Sequence, residues 1–130
     1  MKNDDQSQNV AILGASENPE RYSFKALQNL ISKGHHALPI NPNLEKILGH
    51  KCYNSIQEII DSEIAVDTLT LYVNAEISSN LEEIILTLHP KRVIFNPGAE
   101  NKELKQALSS QGIECIEACT LVMLSTNQFS

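Results

Sequence analysis

Apolar positions along the chain follow two alternating rhythms. "NVAIL" at 9–13 is a short unbroken apolar run of the kind that forms a buried strand. From Arg21 the spacing lengthens, and Phe24, Leu27, Leu30 and Ile31 fall on one face of a helix that Gly34 can end. "HALPIN" at 36–41 returns to strand character, and its pairing is expected to fade near Pro39, which has no N–H to donate. A loop with Pro42 and Gly49 covers 41–53, after which Ser55 and Glu58 form a capping box for a short helix carrying Ile56, Ile59 and Ile60. "DTLTLYV" at 67–73 alternates at Leu69, Leu71 and Val73, which is strand period. One helix is expected to carry Ile77, Leu81, Ile84, Ile85 and Leu88 and to stop before Pro90. A strand "RVIF" at 92–95, a helix with Leu104, Ala107 and Leu108 running to Gly112, and a strand "IECI" at 113–116 follow. "TLVML" at 120–124 is a last apolar segment, packed on the body or, if exposed, a dimer patch.

Strand and helix alternate with connections so short that the strands must be parallel and the crossovers right-handed. The expected architecture is α/β: a three-layer, doubly wound sheet of about five parallel strands in the order 3-2-1-4-5. Residues 1–8 read as a disordered tail and 9–130 as a single domain. Sheets of this kind bind ligands at the carboxyl ends of their strands, where the strand order reverses. The loops at 14–23, 41–55, 73–77 and 96–101 sit there by construction, and each is polar and rich in turn-formers.

Charge narrows the ligand. The formal net charge of −6 argues against a bulk electrostatic hold on nucleic acid or anionic lipid, so an anion must be caught by local groups. The polar start has no apolar core of a secretory signal, and no apolar run approaches a membrane span. Three cysteines, Cys52, Cys115 and Cys119, lack zinc-like spacing, and reduced thiols in the cytoplasm are the expectation.

The first loop reads "GASENPERYS", residues 14–23. Gly14 lets the backbone turn sharply and approach a ligand closely. Ala15 and Ser16 are small, which is expected to leave their N–H groups open. Ser23 stands near the start of a helix, whose free N–H groups and dipole favour an anion. Arg21 adds a fixed charge with a bidentate fork. Together these suit a phosphate or pyrophosphate, while the alternative is a plain strand-to-helix turn with a surface arginine. Neither G-x-G-x-x-G nor the G-x-x-x-x-G-K-[ST] loop is present. The second strand ends in Asn41 and Pro42, where NAD-binding sheets usually carry an acid for the ribose hydroxyls, so an ordinary NAD site is disfavoured.

The run "VAILGASENPERYSFKALQNLISKGHHALPINPN…ILGHKCYNSIQEI" resembles the stand-alone CoA-binding proteins. These are small Rossmann-like domains, similar to the CoA-binding module of succinyl-CoA synthetase and of acyl-CoA synthetases. The resemblance covers Val10 to about Cys119 and rests on G-A-S-x-N-P-x-R-x-S, N-P and G-x-x-x-Y-x-S-I. It implies that Gly14, Ala15, Ser16, Asn18, Arg21 and Ser23 hold the phosphates of coenzyme A. It places Asn41 and Pro42 beside the adenosine, Val73, Asn74 and Ala75 along the nucleotide–pantetheine path, and Asn96, Pro97 and Gly98 at the pantetheine end. The chain departs from many members after strand four, with "FNPGAEN", and after strand five, where Glu117 and Ala118 precede Cys119.

The implied function is binding of CoA or an acyl-CoA, with no catalytic residue assigned. A CoA-dependent ligase or transferase component needing a larger partner, and an NAD(P) or other nucleotide binder, are the alternatives; a homodimer is also open. His35 and His36 point to opposite faces of a strand and cannot share a metal, and His50 and His89 stand alone in loops; surface or turn roles are expected for them. Glu100 and Glu103 suit the dipole of a helix start better than a general base. Cys115 reads as packing and Asp67 as a turn residue.

Overall fold

The computed structural model describes residues 6–130. The first five residues of the expected tail lie outside the described residues. Ser7 and Gln8 are tied to the body: Ser7 Oγ donates to Gly34 O, and the Gln8 N–H donates to His35 Nδ1.

The chain runs β1 (Asn9–Leu13), α1 (Tyr22–Ser32), β2 (His36–Ile40), β3 (Lys46–Ile47), β4 (His50–Lys51), α2 (Ile56–Asp61) and β5 (Thr68–Leu71). It continues through α3 (Ala75–Ser79), α4 (Glu82–Leu88), β6 (Arg92–Phe95), α5 (Lys102–Ser109), β7 (Glu114–Glu117) and α6 (Thr120–Ser125). β1, β2, β5, β6 and β7 form one sheet, every pair parallel. Side chains alternate across it. Ala11, Leu13, Leu69, Leu71, Val93 and Phe95 belong to one buried cluster with Ile56, Ile85 and Leu104. Val10, Ile12 and Ile94 belong to the other with Leu27, Leu30, Met123 and Leu124. Helices α1 and α6 therefore cover one face, and α2, α4 and α5 the other, as the doubly wound reading requires.

Four expectations change. The strand order is β2-β1-β5-β6-β7, or 2-1-3-4-5 among the main strands, not 3-2-1-4-5. The third strand docks on the free side of β1 because the outer side of β2 is already taken. There the Tyr53 N–H donates to Pro39 O at 2.8 Å and the Asn41 N–H to Tyr53 O at 2.9 Å. Pro39 therefore points its N–H-less nitrogen outward, and pairing with β1 does not fade: it continues through Ile12↔Pro39 to Leu13↔Ile40. Secondly, the 41–53 loop contains a small hairpin, β3–β4, whose tight turn puts Leu48 and Gly49 at φ 53° and 77°.

Thirdly, the expected helix over Ile77–Leu88 is two helices with a break at Asn80 and Leu81. At the break the backbone tightens, the Asn80 N–H donating to Ile77 O and the Leu81 N–H to Ser78 O, and the Asn101 amide ties the first helix to the start of α5 by donating to Ala75 O, Ser78 Oγ and Ser79 Oγ. Fourthly, His35 is buried and not a surface group. Its ring meets Phe129 edge-on, while His36 is exposed. The Ser55/Glu58 cap holds: Ser55 Oγ accepts the Glu58 N–H, and Glu58 Oε1 reaches one residue further back to the Asn54 N–H.

Candidate functional site

Two cavities open at the carboxyl ends of the strands, and Gly14 and Asn41 stand between them. The first, about 570 Å³, is polar and is lined by the 14–23 loop together with Tyr72 and Pro97. The second, about 720 Å³, is mainly apolar: Ile40, Pro42, Ile56, Val73, Ile77 and Ile84 are among its walls. Both volumes fall in the range of small-molecule sites.

Gly14 is required twice over. Its φ is +89°, and a Cβ there would lie 2.9 Å from Tyr72 O and 3.0 Å from Val73 Cγ1. Beyond it the loop folds on itself. Ser16 Oγ accepts the Asn18 N–H, Asn18 Oδ1 accepts the Glu20 N–H, and Asn18 O accepts the Arg21 N–H. Ala15 departs from the expected open amide, because its N–H donates to Ile40 O and its carbonyl accepts from Asn41 Nδ2 at 2.9 Å. The N–H groups of Ser16, Tyr22 and Ser23 have no hydrogen-bond partner among the described residues. α1 begins without a side-chain cap and without an acid in its first turn, and its positive end faces the polar cavity, where Glu20 is the carboxylate among the lining residues. Arg21, exposed at that same start, makes no ion pair among the described residues. Open amides, a positive helix end and a guanidinium thus converge on one cavity, an arrangement suited to a phosphate group.

Most of the expected residues meet here. Ala15, Ser16, Arg21, Ser23 and Pro97 line the polar cavity, Pro42 and Val73 the apolar one, and Gly14 and Asn41 both. Asn18 shapes the loop from outside. Asn74 caps α3 by accepting the Ile77 N–H. Ala75 gives its carbonyl to Asn101, and the Gly98 N–H donates to Glu100. Asn96 is turned inward: its amide donates to Thr70 Oγ1 and Leu71 O, and its oxygen accepts the Thr120 N–H. Its role is to hold β5, β6 and the start of α6 together.

Tyr72, Glu20, Tyr22, Ser55 and Leu81 also line the cavities, though the sequence assigned none of them to the site. Tyr72 is the informative one. Its hydroxyl is buried with no hydrogen-bond partner among the described residues. Burial pushes the phenol up to about 12, with the nearby Thr120 and Thr70 hydroxyls offsetting part of the rise. Those two hydroxyls lie beside the phenol but bond one another at 2.8 Å. Its position directly after β5 was the available signal.

Residues 8–125 match the model of a family described as CoA binding domain. A crystal structure of an uncharacterised protein shares 40% identity and a TM-score of 0.85, over 95% of this chain and 99% of that one. The uncharacterised protein YneT of Bacillus subtilis (strain 168) is 26% identical over 106 residues, covering 82% of this chain and 76% of its own. An ADP-forming acetate–CoA ligase II of Archaeoglobus fulgidus is 40% identical over 70 residues, which is 52% of this chain but 10% of the ligase. Among the described residues no helix is long and apolar enough to cross a membrane.

Proposed function

Because the chain belongs to the CoA binding domain family, we propose that it binds coenzyme A or an acyl-CoA across the two cavities. The observation that carries this is their contiguity. A polar cavity with open amides and Arg21 adjoins an apolar one, and Gly14 and Asn41 form the shared wall. A nucleotide diphosphate ester has the same layout. Its diphosphate would take the Ser16, Tyr22 and Ser23 amides and the Arg21 guanidinium. The adenine would enter the apolar cavity past Asn41, Pro42 and Val73, and the pantetheine arm would leave over Tyr72 and Pro97, toward Asn96 and Gly98. Asn18, Asn74 and Ala75 would act by fixing the loops. A single ligand-binding domain over 9–130, a cytoplasmic location and reduced cysteines are part of the same reading.

The test is thermal unfolding with added ligand. A ligand at 100 times its Kd stabilises by about 2.7 kcal/mol, a rise of roughly 8–14 °C for a chain of this size. Arg21→Ala should weaken CoA binding about tenfold or more, the worth of a charge-assisted contact, and leave the unliganded Tm within about 1 °C. No shift with CoA in large excess would overturn the proposal. A second reading follows from the likeness to a short part of the acetate–CoA ligase: the chain would serve as a CoA module for a larger partner. Recovery of an ATP-hydrolysing subunit with the tagged protein would favour it.

A further inference from the structure

The corner where the two cavities meet is where a ribose would lie, and its chemistry is neutral. Two devices normally read a ribose at the end of the second strand: an acid that grips the free hydroxyls, or an arginine that grips a phosphate on them. Here the chain supplies Asn41, Pro42 and Asn43. Asn41 is largely committed to backbone, its Nδ2 donating to Ala15 O at 2.9 Å and its Oδ1 accepting the Asn43 N–H at 2.8 Å. The facing wall is Asn54, Ser55 and Gln57, again neutral.

Lys46, opposite Lys51 on the β3–β4 hairpin, is exposed and lines neither cavity, and the other neighbouring cations are paired or stand elsewhere. Lys51 Nζ pairs with Glu58 Oε2 at 3.2 Å and lies over the Tyr53 ring. Lys25 leans over Tyr22, on the diphosphate side. Glu58 also places its carboxylate at the start of α2, accepting the Asn54 N–H at 2.7 Å, so that positive helix end is already answered. Across both cavities the charged side chains among the described residues are Arg21, Glu20 and Glu83. One cation suffices for a diphosphate, and nothing in this set is left to hold a further dianion.

We propose that the site reads the adenosine 5′-diphosphate ester and is indifferent to phosphorylation of its ribose, so that 3′-dephospho-CoA is as good a ligand as CoA. The inference rests on the CoA reading above and sharpens its ligand class. Isothermal titration of the full chain with CoA and with 3′-dephospho-CoA, at the same salt, tests it. The expected result is dephospho-CoA binding within about threefold of CoA, or tighter, since a cation on the ribose phosphate would be worth about tenfold. CoA binding more than about threefold tighter than dephospho-CoA overturns this inference and leaves the CoA reading standing. Failure of both ligands to bind removes the CoA reading and this inference together.

Discussion

Gly14→Ala perturbs the wall that both cavities share, and its cost can be worked from the backbone. Gly14 and Gly98 have nearly the same dihedral, φ +89° and +92°. Adding a Cβ to a residue held in this left-handed region costs about 1 kcal/mol at either position. The two sites differ in what the new carbon meets. At Gly98 nothing lies within 4 Å, whereas at Gly14 the Tyr72 carbonyl stands at 2.9 Å and Val73 Cγ1 at 3.0 Å. Backbone must therefore shift at Gly14, adding about 1–3 kcal/mol, as overpacking does. The expected totals are about 2–4 kcal/mol for Gly14→Ala and about 1 kcal/mol for Gly98→Ala, or falls in Tm of roughly 8–15 °C and 3–5 °C. Calorimetric melts of the two variants beside the parent decide the matter. Equal falls, within about 2 °C, would refute the close approach of the first loop to the end of β5.

Tyr72→Phe removes a buried hydroxyl that has no partner, so stability should hold or rise by about 1 kcal/mol in urea melts; a loss above that would mean the hydroxyl is satisfied. Asn96→Ala removes the amide's bonds to Thr70 Oγ1 and Leu71 O and leaves the buried Thr120 N–H without its acceptor, a cost of about 3–5 kcal/mol readable in the same melts, and a cost below about 1 would refute the inward role. Burial, with the Arg92 and Lys33 charges, holds the His35 imidazole below its ordinary 6.5. The unfolded chain therefore takes up the proton first as pH falls. Stability is fully present above 6.5 and declines below it, and His35→Phe should flatten that slope between pH 6.5 and 5; an unchanged slope would argue that other groups carry it.

The hydrophobic pattern was enough to locate every strand of the main sheet to within one or two residues, because each is a short run bounded by Gly, Pro or Asn. Strand order was not legible in the same way. From the sequence Pro39 reads as a local weakening of the second strand, whereas in the fold its missing donor marks an edge. That distinction depends on which side of the strand faces β1, and periodicity does not encode it. The Ile77–Leu88 stripe has helical spacing, yet Asn101, over twenty residues further on, holds the end of α3; no local window contains both. The same stripe explains a miss at the site: Ile77, Leu81 and Ile84 read as core because a cavity wall and a packed face have the same spacing. The first loop was legible since its glycine, small residues and arginine are contiguous. The engagement of the Ala15 amide by Ile40 was not, since it joins two loops.

The two borders of the main sheet have different fates in a crowded solution. At β2 the outward groups of Pro39 and Asn41 are already met by Tyr53, so that border offers little for strand addition by another molecule. The border at β7 is unmatched in the main sheet, and there exposed Glu114 and Glu117 stand on the outermost strand. Glu117 is matched there by Lys105 Nζ at 3.7 Å, whereas Glu114 makes no ion pair among the described residues, so a second copy laid border to border would meet the Glu114 charge, a local cost against strand addition on that side.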